Sequence, residues 1–287
     1  MQSSNCTIIS NEYLTAVIDY NGAELISLQN SENREYIWEG DPKVWGKHSP
    51  VLFPIVGTLK ENSYTFNDTV YRLTRHGFAR DMEFSLIEKS DDVAAFSLRY
   101  SDDTLIVFPF NFELQIIYRL FENKLQIQYH VINHGNTDMP FSLGAHPAFA
   151  LPGNFGDYSL QFELDESFQY HLLENDLVSQ QTAKLELDDN RLPLNYDLFK
   201  NDALIFKSLQ SGSVTILDSS KPLLKIEFKE FPHLGIWTKE NAAFLCIEPW
   251  FGYSDTNHAT GNLFDKDGIQ TVIPEASFSA KFSIEIF

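Results

Sequence analysis

Apolar and polar residues alternate most regularly in one segment near the middle of the chain, Lys124–Asn133. The alternating positions are Leu125, Ile127, Tyr129 and Val131 on one side and Gln126, Gln128, His130 and Ile132 on the other. Because successive side chains of a strand point to opposite faces, a period of two predicts a strand with one face mainly buried. The preceding segment, Phe112–Phe121, is joined to it by Glu122-Asn123, and together they predict a long hairpin.

Shorter segments with the same character occur along the rest of the chain, many of them around turn-forming residues. Three further hairpins are predicted: Leu14–Asp19 with Ala23–Gln29 around Asn21-Gly22, Tyr64–Leu73 around Asn67-Asp68, and Phe84–Glu88 with Ala94–Tyr100 around Ser90-Asp91-Asp92. Single strands are predicted at Glu35–Glu39, Ser159–Leu164, Ser213–Asp218, Leu223–Phe228, Phe244–Ile247 and Lys281–Phe287.

Helical periodicity is absent over any three turns, and Leu192–Lys200 is the one candidate for a short helix. The segment Trp45–Leu59 contains Gly and Pro, which predict a loop and a candidate wall for a site. We find no linker-like run and no repeat of fixed period. The pattern therefore predicts an all-β fold, a sandwich or barrel of antiparallel sheets in a single domain of residues 1–287.

Composition and charge narrow the possible partners. The 287 residues include 43% hydrophobic and 14% aromatic side chains, which favour sheets, and the formal net charge is -19. Such a polyanion is repelled by nucleic acid and by anionic membranes, whereas a neutral sugar is not repelled. The two cysteines, Cys6 and Cys246, have no metal-binding spacing, and no secretory signal or membrane-length apolar run occurs. We expect a cytoplasmic monomer or homodimer.

The stretch Ser142–Leu151, with sequence SLGAHPAFAL, is the strongest candidate for chemistry. Pro147 cannot donate to a strand ladder and biases His146 toward an extended backbone. That would hold the imidazole in a fixed direction at the end or edge of a sheet, where it could donate a proton. The alternative from this stretch alone is a core histidine bonded to a carbonyl group.

Six stretches, in one order along the chain, resemble the aldose 1-epimerase (galactose mutarotase) family. They are PIVGTLK from Pro54, RHGFARD from Arg75, HPAFAL from His146, NDALIF from Asn201, CIEPWFGYSD from Cys246 and VIPEASFSAKFSI from Val272. The resemblance spans nearly the whole chain and is greatest to the branch found beside bacterial lactose and sugar operons. It implies a large antiparallel twisted β-sandwich, a small-molecule aldose as substrate, and a reaction that needs no cofactor and no metal.

The reaction that this resemblance implies interconverts the α and β anomers of an aldose by opening and closing the ring. One group removes the proton of the C1 hydroxyl while another protonates the ring oxygen. The resemblance implies His146 as the acid and Glu275, in VIPEASF, as the base. From the residues alone, Glu275 would be a solvent-exposed turn residue, as most glutamates in such places are.

The same resemblance implies His76 and Asp202 as substrate-binding residues. Four further candidates come from the residues themselves: Arg75 and Arg80, which would bring forked donors near His76, and Trp250 and Glu248. Of these, Trp250 would stack against a sugar face or fill the core, and Glu248 would bind the sugar or brace the wall. One position departs from the family, because Thr58 stands where the family usually has an arginine; Lys60, Arg75 or Arg80 are candidates to replace it.

Other functions remain open at this stage. A hexose-6-phosphate 1-epimerase would need a cationic pocket, for which Arg75 and Arg80 are the candidates. A non-catalytic sugar-binding protein could share the fold. A glycoside hydrolase would use paired carboxylates such as Glu248 and Glu275. A metal site at His130, His134 and His146 is not predicted, because the first two histidines are expected to face solvent.

Overall fold

The structure, a computed structural model, describes residues 5–287, and it is built mainly of antiparallel β-strands. The first twelve strands are β1 (Cys6–Ser10), β2 (Leu14–Asp19), β3 (Leu25–Asn30), β4 (Val51–Leu52), β5 (Ser63–Phe66), β6 (Thr69–Arg72), β7 (Ser85–Lys89), β8 (Val93–Arg99), β9 (Phe112–Phe121), β10 (Lys124–Asn133), β11 (Met139–Phe141) and β12 (Leu143–Ala145). The next twelve are β13 (Ala148–Ala150), β14 (Tyr158–Phe162), β15 (Gln169–Glu174), β16 (Leu177–Lys184), β17 (Arg191–Pro193), β18 (Leu204–Phe206), β19 (Ser213–Asp218), β20 (Lys221–Glu227), β21 (His233–Trp237), β22 (Phe244–Phe251), β23 (Gln270–Val272) and β24 (Ser277–Ile286).

Helical structure is limited to short segments. Within residues 5–287 the only α-helix is α1 (Asp102–Val107), which Ser101 caps by accepting a hydrogen bond from the Thr104 N–H at 3.3 Å. Single 3-10 turns occur at Lys60–Asn62, Ala79–Asp81, Phe155–Asp157, Tyr196–Phe199 and Leu263–Asp265. Among residues 5–287, no helix is long and apolar enough to cross a membrane.

The predicted hairpins are confirmed, and the bounds of β9 and β10 are those of the alternating segments. Three expectations are corrected. Glu35–Glu39 forms only isolated bridges, Leu192–Lys200 contains the end of β17 and a 3-10 turn, and the loop Trp45–Leu59 includes the two-residue strand β4. The short helix α1 was not predicted, because six residues are too few to show a helical period.

Two large sheets dominate the fold. One has nine strands in the order β17-β14-β19-β20-β24-β10-β9-β8-β7. The other has the order β16-β15-β18-β21-β22-β12-β4, and β13 also pairs with β22. Smaller sheets are β1-β2-β3, β5-β6 and β11-β23. The all-β, antiparallel fold class is therefore as predicted.

Strand β22 shows where the core lies relative to the sheets. All eight of its residues are buried, so both of its faces are covered. Leu245, Ile247 and Phe251 belong to the main apolar core, which also contains Leu125, Ile127, Tyr129 and Val131 of β10 in the other large sheet. The main core thus lies between the two sheets. Cys246 and Trp250 belong to smaller clusters on the opposite face of β22.

Candidate active site

The outer face of β22 forms the base of a cavity of about 290 Å³. Because side chains alternate along the strand, Cys246, Glu248 and Trp250 share this face. Glu248 and Trp250 line the cavity, and both are almost fully buried. A carboxylate in such a position is unusual, because burying a charge without a partner is costly.

His146 lies directly across from Glu248 on the neighbouring strand. Pro147 lies between β12 and β13 and interrupts the hydrogen-bond ladder that these two short strands form with β22. Gly144 pairs with Trp250 and Ala148 pairs with Cys246, so the register places His146 opposite Glu248. The His146 Nε2 and Glu248 Oε2 atoms are 3.3 Å apart. The expectation of a fixed imidazole is met between two strands, not at a sheet end.

Burial controls the charge of this pair. It lowers the pKa of His146 to about 3, and the nearby Arg75 and Arg80 act in the same direction. Burial also raises the pKa of Glu248 well above its usual range, against a smaller lowering effect of Arg75. Desolvation therefore makes the imidazolium a stronger acid and the carboxylate a stronger base than either is in water.

Two tryptophans enclose His146. The Trp45 indole stacks on the imidazole with ring centroids 5.1 Å apart and planes 24° from parallel. Trp237 meets the imidazole edge-on at 6.0 Å. Both indoles line the cavity, and neither was among the predicted site residues. Trp45 lies in the Gly- and Pro-containing loop that was a candidate wall, whereas Trp237 lies in a strand that was not predicted.

His76 approaches the same space from the loop before the second 3-10 turn. Its backbone and that of Gly77 are left-handed, with φ of 69° and 71°. A Cβ atom at position 77 would lie 2.3 Å from the Phe53 carbonyl oxygen, so the turn requires glycine. The His76 and His146 ring centroids are 5.8 Å apart. Burial lowers the pKa of His76 well below its usual range, and His146, Arg75 and Arg80 add to this effect.

Both ring nitrogens of His76 face hydrogen-bond donors. The Gly57 N–H points to Nδ1 at 3.1 Å, and the Arg75 Nε–H points to Nε2 at 3.2 Å. A neutral imidazole has a single acceptor nitrogen, so it cannot accept both hydrogen bonds at once. The half-exposed Arg75 side chain, which also contacts Asp176 at 3.2 Å, is the partner that can turn toward a ligand.

Charged groups line the rim of the cavity. Arg75, Arg80 and Asp202 all contribute to its wall. Arg80 is held by a hydrogen bond from Nη2 to the Arg75 carbonyl at 2.9 Å. Asp202 has a left-handed backbone with φ of 76°, just before β18. The structure therefore brings two cations and one anion to the wall of the cavity that His146 and Glu248 also line.

Trp250 lies flat across two glycines on neighbouring strands. A Cβ atom at Gly235 of β21 would lie 2.3 Å from the Trp250 ring, and one at Gly144 of β12 would lie 2.6 Å from it. Side chains at either position would displace the indole. Trp250 is thus a rigid platform that forms part of the cavity wall.

Glu275 lies outside this site. It is exposed in the turn before β24, its backbone N–H donates to the Asn133 carbonyl at 3.0 Å, and it is not among the cavity residues. The structure therefore does not bring Glu275 beside His146, as was predicted. Glu248 lies beside His146 instead. The physical reason is register, because β22 and not the start of β24 runs beside His146. Thr58 also lies outside the cavity wall.

Several buried polar atoms around the cavity have no hydrogen-bond partner among the described residues. They are His146 Nδ1, Glu248 Oε2, Trp250 Nε1 and Arg80 Nε. Buried polar groups are normally paired, and both donors and acceptors occur in this set. A ligand with several hydroxyl groups would satisfy them.

The histidines considered for a metal are not brought together. His134 Nε2 contacts Glu113 at 2.8 Å on the nine-stranded sheet, away from His146. The described residues instead place potential ligand atoms of His146, Cys246 and Glu248 within 4.8 Å of one another.

The fold defines a class. The antiparallel sheets are those of a galactose mutarotase-like protein. The chain belongs to the aldose 1-epimerase family, whose model matches residues 5–267. That match includes His146 and Glu248 and ends before Glu275.

Individual relatives agree with this assignment. The chain is 32% identical to the chromosomal protein LacX of Lactococcus lactis subsp. lactis, over 97% of this chain and 98% of that protein. It resembles the solved structure of a galactose mutarotase related enzyme from Lactobacillus acidophilus, with a TM-score of 0.93, 31% identity and coverage of 98% and 97%. A galactose mutarotase-like protein from Lactobacillus casei has a TM-score of 0.92, 31% identity and coverage of 98% and 100%.

Proposed function

We propose that the protein is an aldose 1-epimerase that interconverts the α and β anomers of a hexose, with His146 and Glu248 as the proton-transfer pair. The main support is the contact between these two buried groups at 3.3 Å, at the base of a cavity lined by three tryptophans. A volume of about 290 Å³ suits one small molecule.

In the proposed mechanism, His146 protonates the ring oxygen while Glu248 removes the proton of the C1 hydroxyl. The ring opens to an aldehyde, C1 turns, and reversal of both proton transfers closes the ring to the other anomer. The reactive state is an ion pair, which burial makes less populated but more reactive because it strengthens the acid and the base. This chemistry uses the side chains alone and requires no cofactor.

The remaining cavity residues are assigned to binding. Asp202 would accept hydrogen bonds from sugar hydroxyls, and His76 and Arg75 would donate them. Trp250 would present its flat face to the apolar C–H face of a pyranose. Arg75 can fill the role of the arginine that Thr58 replaces, because its contacts to His76 and Asp176 leave it partly exposed beside the cavity.

A second candidate is a hexose-6-phosphate 1-epimerase. It is favoured by the presence of Arg75 and Arg80 at the rim, since guanidinium groups bind phosphate in a bidentate manner. A glycoside hydrolase that pairs Glu248 with Glu275 is not supported, because Glu275 does not line the cavity.

The test is polarimetry on a panel of freshly dissolved aldohexoses and their 6-phosphates, with EDTA present. We expect the protein to speed the approach to anomeric equilibrium for at least one neutral hexose. Faster turnover of the 6-phosphates alone would support the second candidate. Sugar binding without acceleration across the panel would contradict both and favour a binding protein.

A further inference from the structure

A third side chain of metal-binding type lies beside the proposed proton-transfer pair. Cys246 is two residues before Glu248 on the same face of β22, and it is fully buried. It is not part of the cavity wall; it lies behind the wall, in an apolar cluster with Ala148 and Phe244. Its thiol is free and forms no disulfide.

We propose that His146, Cys246 and Glu248 bind a thiophilic divalent cation such as Zn²⁺, and that this cation blocks the cavity for sugar. Imidazole nitrogen, cysteine sulfur and carboxylate oxygen are the ligands that Zn²⁺ takes in proteins, and three of them leave a fourth position open. That position would face the cavity, where water can occupy it.

The geometry is close to what the ion requires. The three ligand atoms lie within 4.8 Å of one another, so they share a point at most about 2.8 Å from each, whereas zinc–ligand bonds are about 2.0 to 2.3 Å long. Rotation of the side chains would have to close this difference. The strands themselves fix the arrangement, because Ala148 pairs with Cys246 and places His146 opposite Glu248.

Unpaired polar atoms provide independent support. His146 Nδ1 and Glu248 Oε2 are buried and have no hydrogen-bond partner among the described residues. Each side chain is about nine-tenths buried or more, with exposures of 9% for His146 and 2% for Glu248. Such groups gain from any partner that replaces lost hydration, and a cation would supply one to the Glu248 oxygen.

Charge also balances at this site. A thiolate and a carboxylate neutralise a divalent cation, and the imidazole binds it in its neutral form. Burial and the neighbouring Glu248 raise the pKa of the Cys246 thiol well above its usual range, so the free site holds a thiol. The cation would displace that proton and the one held by the His146–Glu248 pair, and both would pass to solvent, as protons do when metals bind protonated ligands. The positive charges of Arg75 and Arg80 oppose the cation, while Asp202 at the same cavity attracts it.

The test uses the full-length protein after EDTA treatment and gel filtration, titrated with Co²⁺ as an optical substitute for Zn²⁺. We expect one equivalent of Co²⁺ to produce a thiolate-to-cobalt charge-transfer band in the near ultraviolet, and Zn²⁺ to abolish it. Cys246→Ser and Cys246→Ala should remove the band. Cys6→Ser is the matched control, because Cys6 lies in β1 and should leave the band unchanged.

A band that is absent from the parent, or equally strong in both Cys246 variants, would overturn the site. Glu248→Gln, which keeps the thiol, should lower the Co²⁺ affinity by about tenfold or more, since loss of a metal-site group costs at least this much. An unchanged affinity in Glu248→Gln would also count against the site.

The proposed inhibition by the bound cation rests on the proposed function, whereas the metal site itself does not. In a mutarotation assay, Zn²⁺ should slow the parent and Cys6→Ser, and should have at least tenfold less effect on Cys246→Ala. If the parent lacks mutarotase activity, the proposed function fails while the cobalt titration still decides the metal site. An active parent that binds Co²⁺ through Cys246 but is not slowed by Zn²⁺ would contradict the blocking of the cavity.

Discussion

At the scale of single residues, the proposed chemistry of the cavity rests on the contact between His146 and Glu248. Each group alone would be an unfavourable charge in a buried position, and each has a pKa shifted away from its charged form. We infer that together they hold one proton, either on the imidazole or on the carboxyl group. The two arrangements have the same proton count, so titration reports the pair and not either residue.

The first prediction concerns pH. The rate should require the pair with one proton, so kcat/KM should follow a bell. As pH falls, the pair takes up a second proton when the imidazole becomes charged, and activity is lost. The lowered pKa of His146 places this step near pH 3. As pH rises, activity is lost when the last proton leaves through the raised pKa of Glu248. Polarimetry corrected for spontaneous mutarotation measures both limbs.

An acid limb near 6.5, the ordinary value for histidine, would contradict this reading of the pair. The kcat/KM profile is the appropriate one, because it reports the free enzyme.

A second prediction concerns Trp45, which excludes water from one face of His146. Replacement by alanine should hydrate the imidazole, raise its pKa and move the acid limb of the bell toward pH 6.5. Trp45→Phe keeps an aromatic face and should retain the parent profile. The same pH series on both variants is the measurement. A lower rate with an unmoved acid limb would show that Trp45 only stabilises the loop.

Residue-level prediction from sequence was uneven for a physical reason. The residues that line the cavity include His146, His76, Arg75, Arg80, Asp202, Trp250 and Glu248. Their roles in catalysis and binding stay predictions. Glu275 does not line the cavity. The sequence could not show this, because a glutamate in a Pro-containing turn has no local feature that separates an exposed side chain from a catalytic one. Glu248 is distinguished by lying in an otherwise apolar strand, but only the register shows that it faces His146.

At the scale of elements, the cavity depends on neighbouring strands that leave room for one large side chain. Trp250 extends over Gly235 of β21 and Gly144 of β12, positions where any Cβ would overlap its ring. The indole is therefore placed by the absence of side chains on both sides of β22. This arrangement links the strand order β21-β22-β12 to the shape of the wall.

The third prediction tests this arrangement with Gly235→Ala. The added methyl group should displace the Trp250 indole, raise KM for the sugar and destabilise the protein by about 1 to 3 kcal/mol, as overpacking does. Gly156→Ala is the control, because its nearest neighbour would be at an ordinary 3.6 Å. Steady-state polarimetry and urea unfolding give the two numbers. An unchanged KM in Gly235→Ala would remove Trp250 from the binding wall.

Elements were predictable where one face of a strand is buried and the other is not. The clear alternation of β10 fits its register with β9 and β24. Strands β18 and β21 were missed because they are short and buried on both faces, which erases the period of two. Trp237, at the end of β21, was missed for the same reason.

At the scale of the whole molecule, one core connects the ends of the chain. The main apolar cluster contains residues from Ile9 of β1 to Ile286 of β24. In the nine-stranded sheet, β24 pairs with β20 on one side and with β10 on the other. We therefore propose that residues 5–287 form a single domain; residues 1–4 of the predicted range 1–287 lie outside the described residues. The cytoplasmic location and the choice between monomer and homodimer stay predictions.

The fourth prediction follows from this shared core. Far-ultraviolet circular dichroism and tryptophan fluorescence should report one coincident urea transition, because the indoles of the cavity pack on a sheet that belongs to the common core. Glu275→Gln, an exposed substitution, should leave the midpoint unchanged and serves as the control. Two transitions separated in denaturant concentration would contradict the single domain.

The most direct test of the central claim compares two glutamates, Glu248 and Glu275, in the same polarimetric assay. Glu248→Gln keeps the shape and a hydrogen-bonding group but cannot accept the C1 proton, so kcat should fall by about 10²-fold or more. Glu275→Gln should stay within a few-fold of the parent, because that side chain is exposed and outside the cavity. A folded Glu248→Gln that turns over at the parent rate, or a loss of kcat confined to Glu275→Gln, would contradict the pairing of His146 with Glu248.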